Sequence, residues 1–290
     1  MDLLLTLPAP AKLNLFLHVI GRRSDGYHEL QTAFQLIDLV DWLDFERRSD
    51  SAIVREGDLL GAAADDLAVR AARALQEATG TSLGATIGVA KRIPAGSGLG
   101  GGSSDAATTL IALNRLWDLR LGRVELCRIG ARLGADVAFF LHGSNAFGEG
   151  IGERLTTLAT IPAWYAVIWP QVHVSTKEIF SDSGLTANTK ATKMADFSAA
   201  VGPAAARSRS RPVLFGANDL EPVARRRVPV IDDVLKHLAP FGSARMTGSG
   251  SAVFLPTETE ASAQAAVAGL AQPWQGWVVR GLDEHPLAVW

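Results

Sequence analysis

The chain has 290 residues, 48% of them hydrophobic and 20% charged, with a net charge of −2. That much apolar sequence suits one large domain or two lobes and excludes wholesale disorder, while the near-neutral charge argues against a general nucleic-acid binder. One cysteine, Cys127, rules out an intrachain disulfide and a cysteine-only metal site; no apolar run could span a membrane, and the short apolar start lacks a basic segment and meets Pro8 and Pro10, so a cytoplasmic protein is expected.

From the N-terminus, Leu13, Leu15, Leu17 and Val19 alternate with Lys12, Asn14, Phe16 and His18. Period two predicts a strand with one apolar face. Lys12 and Asn14 then share the opposite face; a solvated surface is the plain reading, a seat for an anionic or hydroxylated ligand the sharper one. Residues 21–26 (Gly-Arg-Arg-Ser-Asp-Gly) read as a turn that delivers Tyr27, a stacking face, and His28, a donor and acceptor, into strand-like residues 31–45. Residues 65–78 predict a helix stopped by Gly80, and 85–93 a strand broken by Pro94, with basic Lys91 and Arg92 at its end.

Next comes Pro94-Ala95-Gly96-Ser97-Gly98-Leu99-Gly100-Gly101-Gly102-Ser103-Ser104-Asp105. Bare glycine N–H groups can form a concave anion nest. Ser103 or Ser104 as N-cap, Asp105 in the first turn, then Leu110, Ile111, Asn114 and Trp117 at helical spacing predict a helix opening directly from the loop. A glycine loop feeding a helix N-terminus is a phosphate site. Gly96-x-Gly98-x-x-Gly101 alone is a weak dinucleotide match, and a flexible turn is its plain alternative; a Walker loop is excluded because no Gly-Lys-Ser/Thr follows.

Beyond it, 124–133 predicts a second helix that holds Cys127 as a small core residue. Asp136 follows a helix-stopping glycine: either an N-cap or a carboxylate fixed at an element end as a base needs. Glycines at 148, 150 and 152 suggest a strand with one bare face where another backbone or a ligand comes close. Residues 164–169 predict a buried strand, and 175–180 a short element. Residues 187–212, rich in Ala, Ser, Lys and Arg, suggest a mobile insert, and Arg225–Arg227 a solvated basic face. A helix at 232–238, a second glycine loop at 244–255 (Thr247-Gly248-Ser249-Gly250-Ser251) running into a strand, a helix at 259–270 and a strand at 276–282 complete a second α+β lobe from about residue 160.

Three separated motifs resemble, in order, those of the GHMP kinases, the family of galacto-, homoserine, mevalonate and phosphomevalonate kinases. They are Pro10-Ala11-Lys12-Leu13-Asn14-Leu15 with Gly26-Tyr27-His28-Glu29-Leu30, the Pro94–Ser104 loop, and Thr247-Gly248-Ser249-Gly250-Ser251. The likeness covers 8–182 and 213–282; 187–212 has no clear counterpart. It implies an α+β, two-lobed GHMP kinase fold: an N-terminal ATP-binding lobe over 1–158 resembling ribosomal protein S5 domain 2, a ferredoxin-like lobe over 159–290, and a cleft between. The first motif is most similar to the branch that uses ATP to phosphorylate the C2 hydroxyl of 4-diphosphocytidyl-2-C-methyl-D-erythritol in non-mevalonate isoprenoid synthesis.

The resemblance also implies roles. Asp136 is the base at that hydroxyl and Lys12 orients it. Asn14 holds the methylerythritol, Tyr27 and Phe180 sandwich the cytosine, His28 bonds its edge, and Thr176 lies with them. The loop from Pro94 to Ser104 cradles the ATP phosphates; Lys91, Asp66 and Asn114 lie near the adenosine. Gly248, Ser249 and Gly250 complete the cleft, and Ser103 is the candidate Mg²⁺ ligand. The expected partners are small molecules, without nucleic acid or membrane, for a monomer or weak homodimer. Two positions depart from the family pattern: Asp66 stands where asparagine is usual and cannot donate as an amide does, and Ala138 replaces a proline after Gly-Ala-Asp-Val. Competing readings are another GHMP kinase of mevalonate or homoserine type, a nicotinamide-dependent oxidoreductase, and an RNA-binding module.

Overall fold

A computed structural model describes residues 2–58, 61–160, 163–201 and 214–290. Its spine is a long antiparallel hairpin, β1 (Leu3–Arg22) and β2 (His28–Arg48), closed by the turn at 23–27. The ladder pairs Lys12 with Leu36 and Asn14 with Phe34, then slips register before Phe16, which faces Ala33. β2 carries the rest of the sheet along its second edge: β4 (Gly84–Ala90) beside Trp42–Arg48, β10 (Gln275–Leu282) at Leu36 and Ile37, and β5 (Ala146–Gly150) beside Leu30–Phe34. β3 (Ile53–Gly57) runs parallel to β4, and β6 (Arg154–Thr157) pairs with β5. Through β10 the sheet continues to β7 (Trp164–Trp169), β9 (Val253–Thr257) and β8 (Arg245–Met246).

Helices cover the first half of the sheet: α1 (Leu67–Thr79), α2 (Gly101–Leu116), α3 (Arg123–Ala131) and α4 (Ala135–His142). Their apolar stripes and β2 and β4 form one core, in which Phe45, Leu75, Ile87, Leu110, Leu113, Phe139 and Phe140 are fully buried. The second half carries α5 (Thr176–Phe180), α6 (Met194–Val201), α7 (Glu221–Arg227), α8 (Val230–Leu238) and α9 (Glu260–Val267). Ala166, Ile168, Val234, Leu238 and Val253 centre its core. The chain end crosses back: Leu287 is buried in the first core, and the His285 N–H donates to the Gly143 carbonyl at 2.8 Å.

Several expectations change. The face of β1 that bears Lys12 and Asn14 is buried rather than solvated, and the register slip at Leu15 breaks the period of two: beyond it Leu17, paired with Thr32, shares that face, while Phe16, paired with Ala33, and His18, paired with Gln31, lie buried on the other. α2 begins at Gly101, so Ser103 and Ser104 sit in its first turn instead of capping it; the N-cap is Gly100 in the left-handed region, φ 78°. Asp66 does cap α1, accepting from the Ala68 N–H. The bare face of β5 receives a ring: a Cβ on Gly148 would lie 2.8 Å from Phe34. The described part of the supposed mobile insert packs inward, with Phe197 1% exposed and against Phe16 and Phe215; residues 202–212, with the Arg-Ser-Arg-Ser-Arg run, lie outside the described residues. Arg225, Arg226 and Arg227 are exposed, as expected of a solvated face, with their charges paired to Asp232 and Asp182.

Candidate active site

The glycine loop is held at three points. Where it leaves β4, buried Asp41 of β2 accepts from the Ile93 N–H at 2.8 Å and from the Arg92 N–H. At its middle the Lys12 N–H donates to the Leu99 carbonyl at 2.9 Å. On its outer side the second glycine loop locks against it, with the Ala252 N–H donating to Ser97 at 2.9 Å. Gly98, at φ 82°, could carry no side chain: a Cβ would stand 2.2 Å from the Thr247 carbonyl oxygen. The loop then turns into α2, whose first N–H groups have no helical acceptors.

Loop, hairpin and second glycine loop enclose a cavity of about 610 Å³. Its wall brings together Lys12, Asn14, Pro94–Gly98, Gly100–Ser103, Asp136, Thr176, Phe180, Gly248 and Ser249. Asp136 is the second residue of α4, where a helix N-terminus favours a carboxylate. Its Oδ2 lies 3.4 Å from Lys12 Nζ; the lysine side chain is 4% exposed and the aspartate 36%. Lys12 Nζ also donates to Asn14 Oδ1 at 2.5 Å, and Asn14 Nδ2 to Thr32 Oγ1 at 2.9 Å. The Asn14 N–H reaches Thr247 Oγ1 at 2.9 Å, tying the hairpin to the second loop. Thr176 and Ser249 share a hydroxyl hydrogen bond of 2.7 Å.

Of the residues expected at the adenosine, Asp66 and Lys91 line the same cavity with their charges already engaged, and Asn114 does not line it. Asn114 is about 20 Å along α2 from its start by helical rise. Its amide closes a reciprocal pair with Leu121, accepting from the N–H at 2.9 Å and donating to the carbonyl at 3.1 Å, away from the cavity. Lys91 lines the cavity, but its ammonium is held between Asp41 and Asp105, the latter at 2.6 Å. Burial pushes the Asp105 carboxyl up to about 7 against the pull of Lys91. Both oxygens of Asp66 are engaged, one by the Ala68 N–H at 2.8 Å and one by Arg55 at 2.9 Å. Ser104, Leu99 and Gly250 stand behind the wall, Tyr27 is 61% exposed at the hairpin tip, and the ring pair that forms is His28 on Phe180, centroids 5.5 Å apart. Burial lowers the His28 pKa, with Arg22 adding to it.

Sequence reasoning missed Thr32 and Asp41. Asp41 left only a faint signal, the middle one of three acids, Asp38, Asp41 and Asp44, set among apolar residues; Thr32 left none beyond its place in the alternation of β2.

Comparison with known proteins adds to this geometry. Residues 66–144 match the GHMP kinases N terminal domain and residues 202–276 the GHMP kinases C terminal domain. A 4-diphosphocytidyl-2-C-methyl-D-erythritol kinase of Ralstonia nicotianae is 54% identical over 97% of this chain and 95% of its own. The chain belongs to the GHMP kinase family. A second relative of the same name, from Aromatoleum aromaticum, is 52% identical over 98% of this chain and 95% of its own. Among solved structures, a 4-(cytidine 5'-diphospho)-2C-methyl-D-erythritol kinase superposes with a TM-score of 0.81 at 36% identity, covering 95% of this GHMP kinase and 98% of that chain. A homoserine kinase of Cytophaga hutchinsonii shares the fold at TM-score 0.69 and 18% identity, covering 98% and 96%. As a GHMP kinase the chain uses ATP, which sets aside the nicotinamide reading of Gly96-x-Gly98-x-x-Gly101.

Proposed function

We propose that this GHMP kinase transfers the terminal phosphoryl group of ATP to the C2 hydroxyl of 4-diphosphocytidyl-2-C-methyl-D-erythritol. The observation that carries the reading is the buried Lys12 ammonium 3.4 Å from the Asp136 carboxylate inside a cavity bordered by the glycine loop. The relatives that match nearly the whole chain bear the name of that kinase. Phosphoryl transfer passes through a loose transition state, so the protein chiefly positions the reactants and offsets charge. Here the backbone N–H groups of 100–103 at the α2 N-terminus offset phosphate charge. Asp136 accepts the proton of the attacking hydroxyl, a contribution typically about 10²–10⁴-fold. Lys12 fixes the direction of attack and balances charge between the hydroxyl and the phosphate.

The donor set fits a Mg²⁺ that arrives with the nucleotide. Among the described residues no group of three or more acidic, histidine or cysteine side chains could hold a metal by itself. Ser103 and Asp136 place a hydroxyl and a carboxylate on one cavity, and Mg²⁺ is commonly held by one or two protein oxygens, waters and substrate phosphates. When bound it supplies neutralisation of the β- and γ-phosphate charge.

At the acceptor end, Phe180, His28, Thr176 and the exposed Tyr27 receive the cytidine, with Tyr27 closing over the base. The two lobes divide at 158/159, apart from the returning C-terminal tail. No helix among the described residues is long and apolar enough to cross a membrane, and a cytoplasmic enzyme acting on small molecules is the reading that fits. A coupled ADP-release assay with the cytidyl sugar alcohol, mevalonate and homoserine as acceptors tests it. Turnover is expected with the first alone; turnover with either of the others and none with the first overturns the assignment.

A further inference from the structure

We infer that Thr32 is a positioning residue for phosphoryl transfer: it holds the Asn14 amide in the one orientation that keeps Lys12 facing Asp136. The inference rests on the kinase reading above. Thr32 Oγ1 donates its single proton to the Phe16 carbonyl at 2.5 Å. A hydroxyl that has given its proton away can only accept, and what it accepts is Asn14 Nδ2 at 2.9 Å. That choice turns the other end of the amide, Oδ1, toward Lys12 Nζ at 2.5 Å. An ammonium has donors only. A flipped amide would therefore set N–H against N–H and push the lysine away from its place 3.4 Å from Asp136.

The polarity of the whole chain, from the Phe16 carbonyl through Thr32, Asn14 and Lys12, is thus set by the same demand from both ends, and Thr32 is what anchors the Nδ2 end of the amide. No solvent competes with it, since Thr32, Asn14 and Lys12 are 2%, 2% and 3% exposed. The strand geometry permits the contact: Asn14 faces Phe34, and Thr32 is the diagonal neighbour two residues along β2 on the same face. The stem of Lys12 runs beside the glycine loop, within 3.1 Å of where a Cβ on Gly100 would stand, so a side chain at that position would crowd it.

The test compares wild type with Thr32→Val, which keeps the shape and removes the hydroxyl, and Thr32→Ser, which keeps the hydroxyl. Steady-state kinetics with ATP and the cytidyl sugar alcohol are measured beside ATP affinity by calorimetry. Misplacement of a reacting group by about 1 Å can cost about 10²-fold. Thr32→Val is expected to lower kcat about 10–100-fold, with the acceptor KM and ATP affinity within about threefold and Thr32→Ser near wild type. In an Asn14→Asp background, where either oxygen can face Lys12, Thr32→Val should cost at most about threefold more, because coupled residues are not additive. If the valine variant does not fold, Thr32→Ala against Thr32→Ser makes the same comparison. Full kcat in Thr32→Val, equal losses in the serine and valine variants, or an undiminished effect in the Asn14→Asp background each overturn the role of Thr32 while leaving the kinase reading intact. A wild-type chain inactive on the cytidyl sugar alcohol overturns both.

Discussion

The two ends of the cavity are built differently. At the reacting end the side chains named from the sequence converge on one another: Lys12, Asn14 and Asp136 form a connected set in which each polar atom is aimed by the next. Beside the glycine loop the charged side chains that line the cavity are tied to one another and to the backbone and hold the frame. Lys91 ties β2 to α2 through Asp41 and Asp105, Asp66 caps α1, and Asn114 closes the end of α2. The contrast teaches that one part of the cavity offers aimed side chains, while the other offers backbone N–H groups on a frame that paired side chains keep in place. A backbone cradle accepts phosphate whatever the side chains are, provided the frame is rigid.

The sharpest way to break the comparison is Asp136→Asn. It should fold normally and lose at least about 10²-fold in kcat; near-normal turnover in a coupled assay would remove Asp136 from the mechanism. Next is Lys91→Met, which leaves two buried carboxylates without their cation. Removing one partner of a buried pair costs about 3–5 kcal/mol, so denaturant unfolding should show a large loss of stability. Unchanged stability with only a raised KM for ATP would make Lys91 a nucleotide contact after all.

Tyr27→Ala sharpens the acceptor side. Stacking on a base is worth about 1–3 kcal/mol, so the KM for the cytidyl substrate should rise about tenfold with kcat retained. An unchanged KM would leave His28 and Phe180 as the whole aromatic platform. The smallest effect is expected from Asn114→Ala. It should cost about 1 kcal/mol of stability through the lost Leu121 bonds and leave the KM for ATP within about twofold; a tenfold rise would restore the adenosine contact.

Much of the fold was legible because local patterns report local structure. The alternation around Lys12, the helix stopped at Gly80, the strand into Pro94 and the loop-to-helix passage all appear within a few residues of the expected bounds. The start of α2 was misplaced because serines are the usual caps, whereas here Gly100 takes the left-handed conformation at the cap. The reacting residues were legible as types at motif positions. Their environment was not: period two holds only up to the register slip at Leu15, past which Phe16 and His18 turn to the other face of β1, and it says nothing about what covers either face.

By itself, then, the sequence determined the elements and the glycine loops, since propensity and short-range spacing act along the chain, while the pairing of Lys12 with Asp136 was implied only by the resemblance of its motifs to those of the GHMP kinases. Tertiary structure alone decided that Lys12 and Asn14 are buried, that Asn114 and Lys91 brace the frame, and that Thr32 stands within hydrogen-bonding reach of the Asn14 amide. Those outcomes depend on which distant segments meet. Burial forces every polar atom to find a partner, and only the folded chain shows which partner stands within reach.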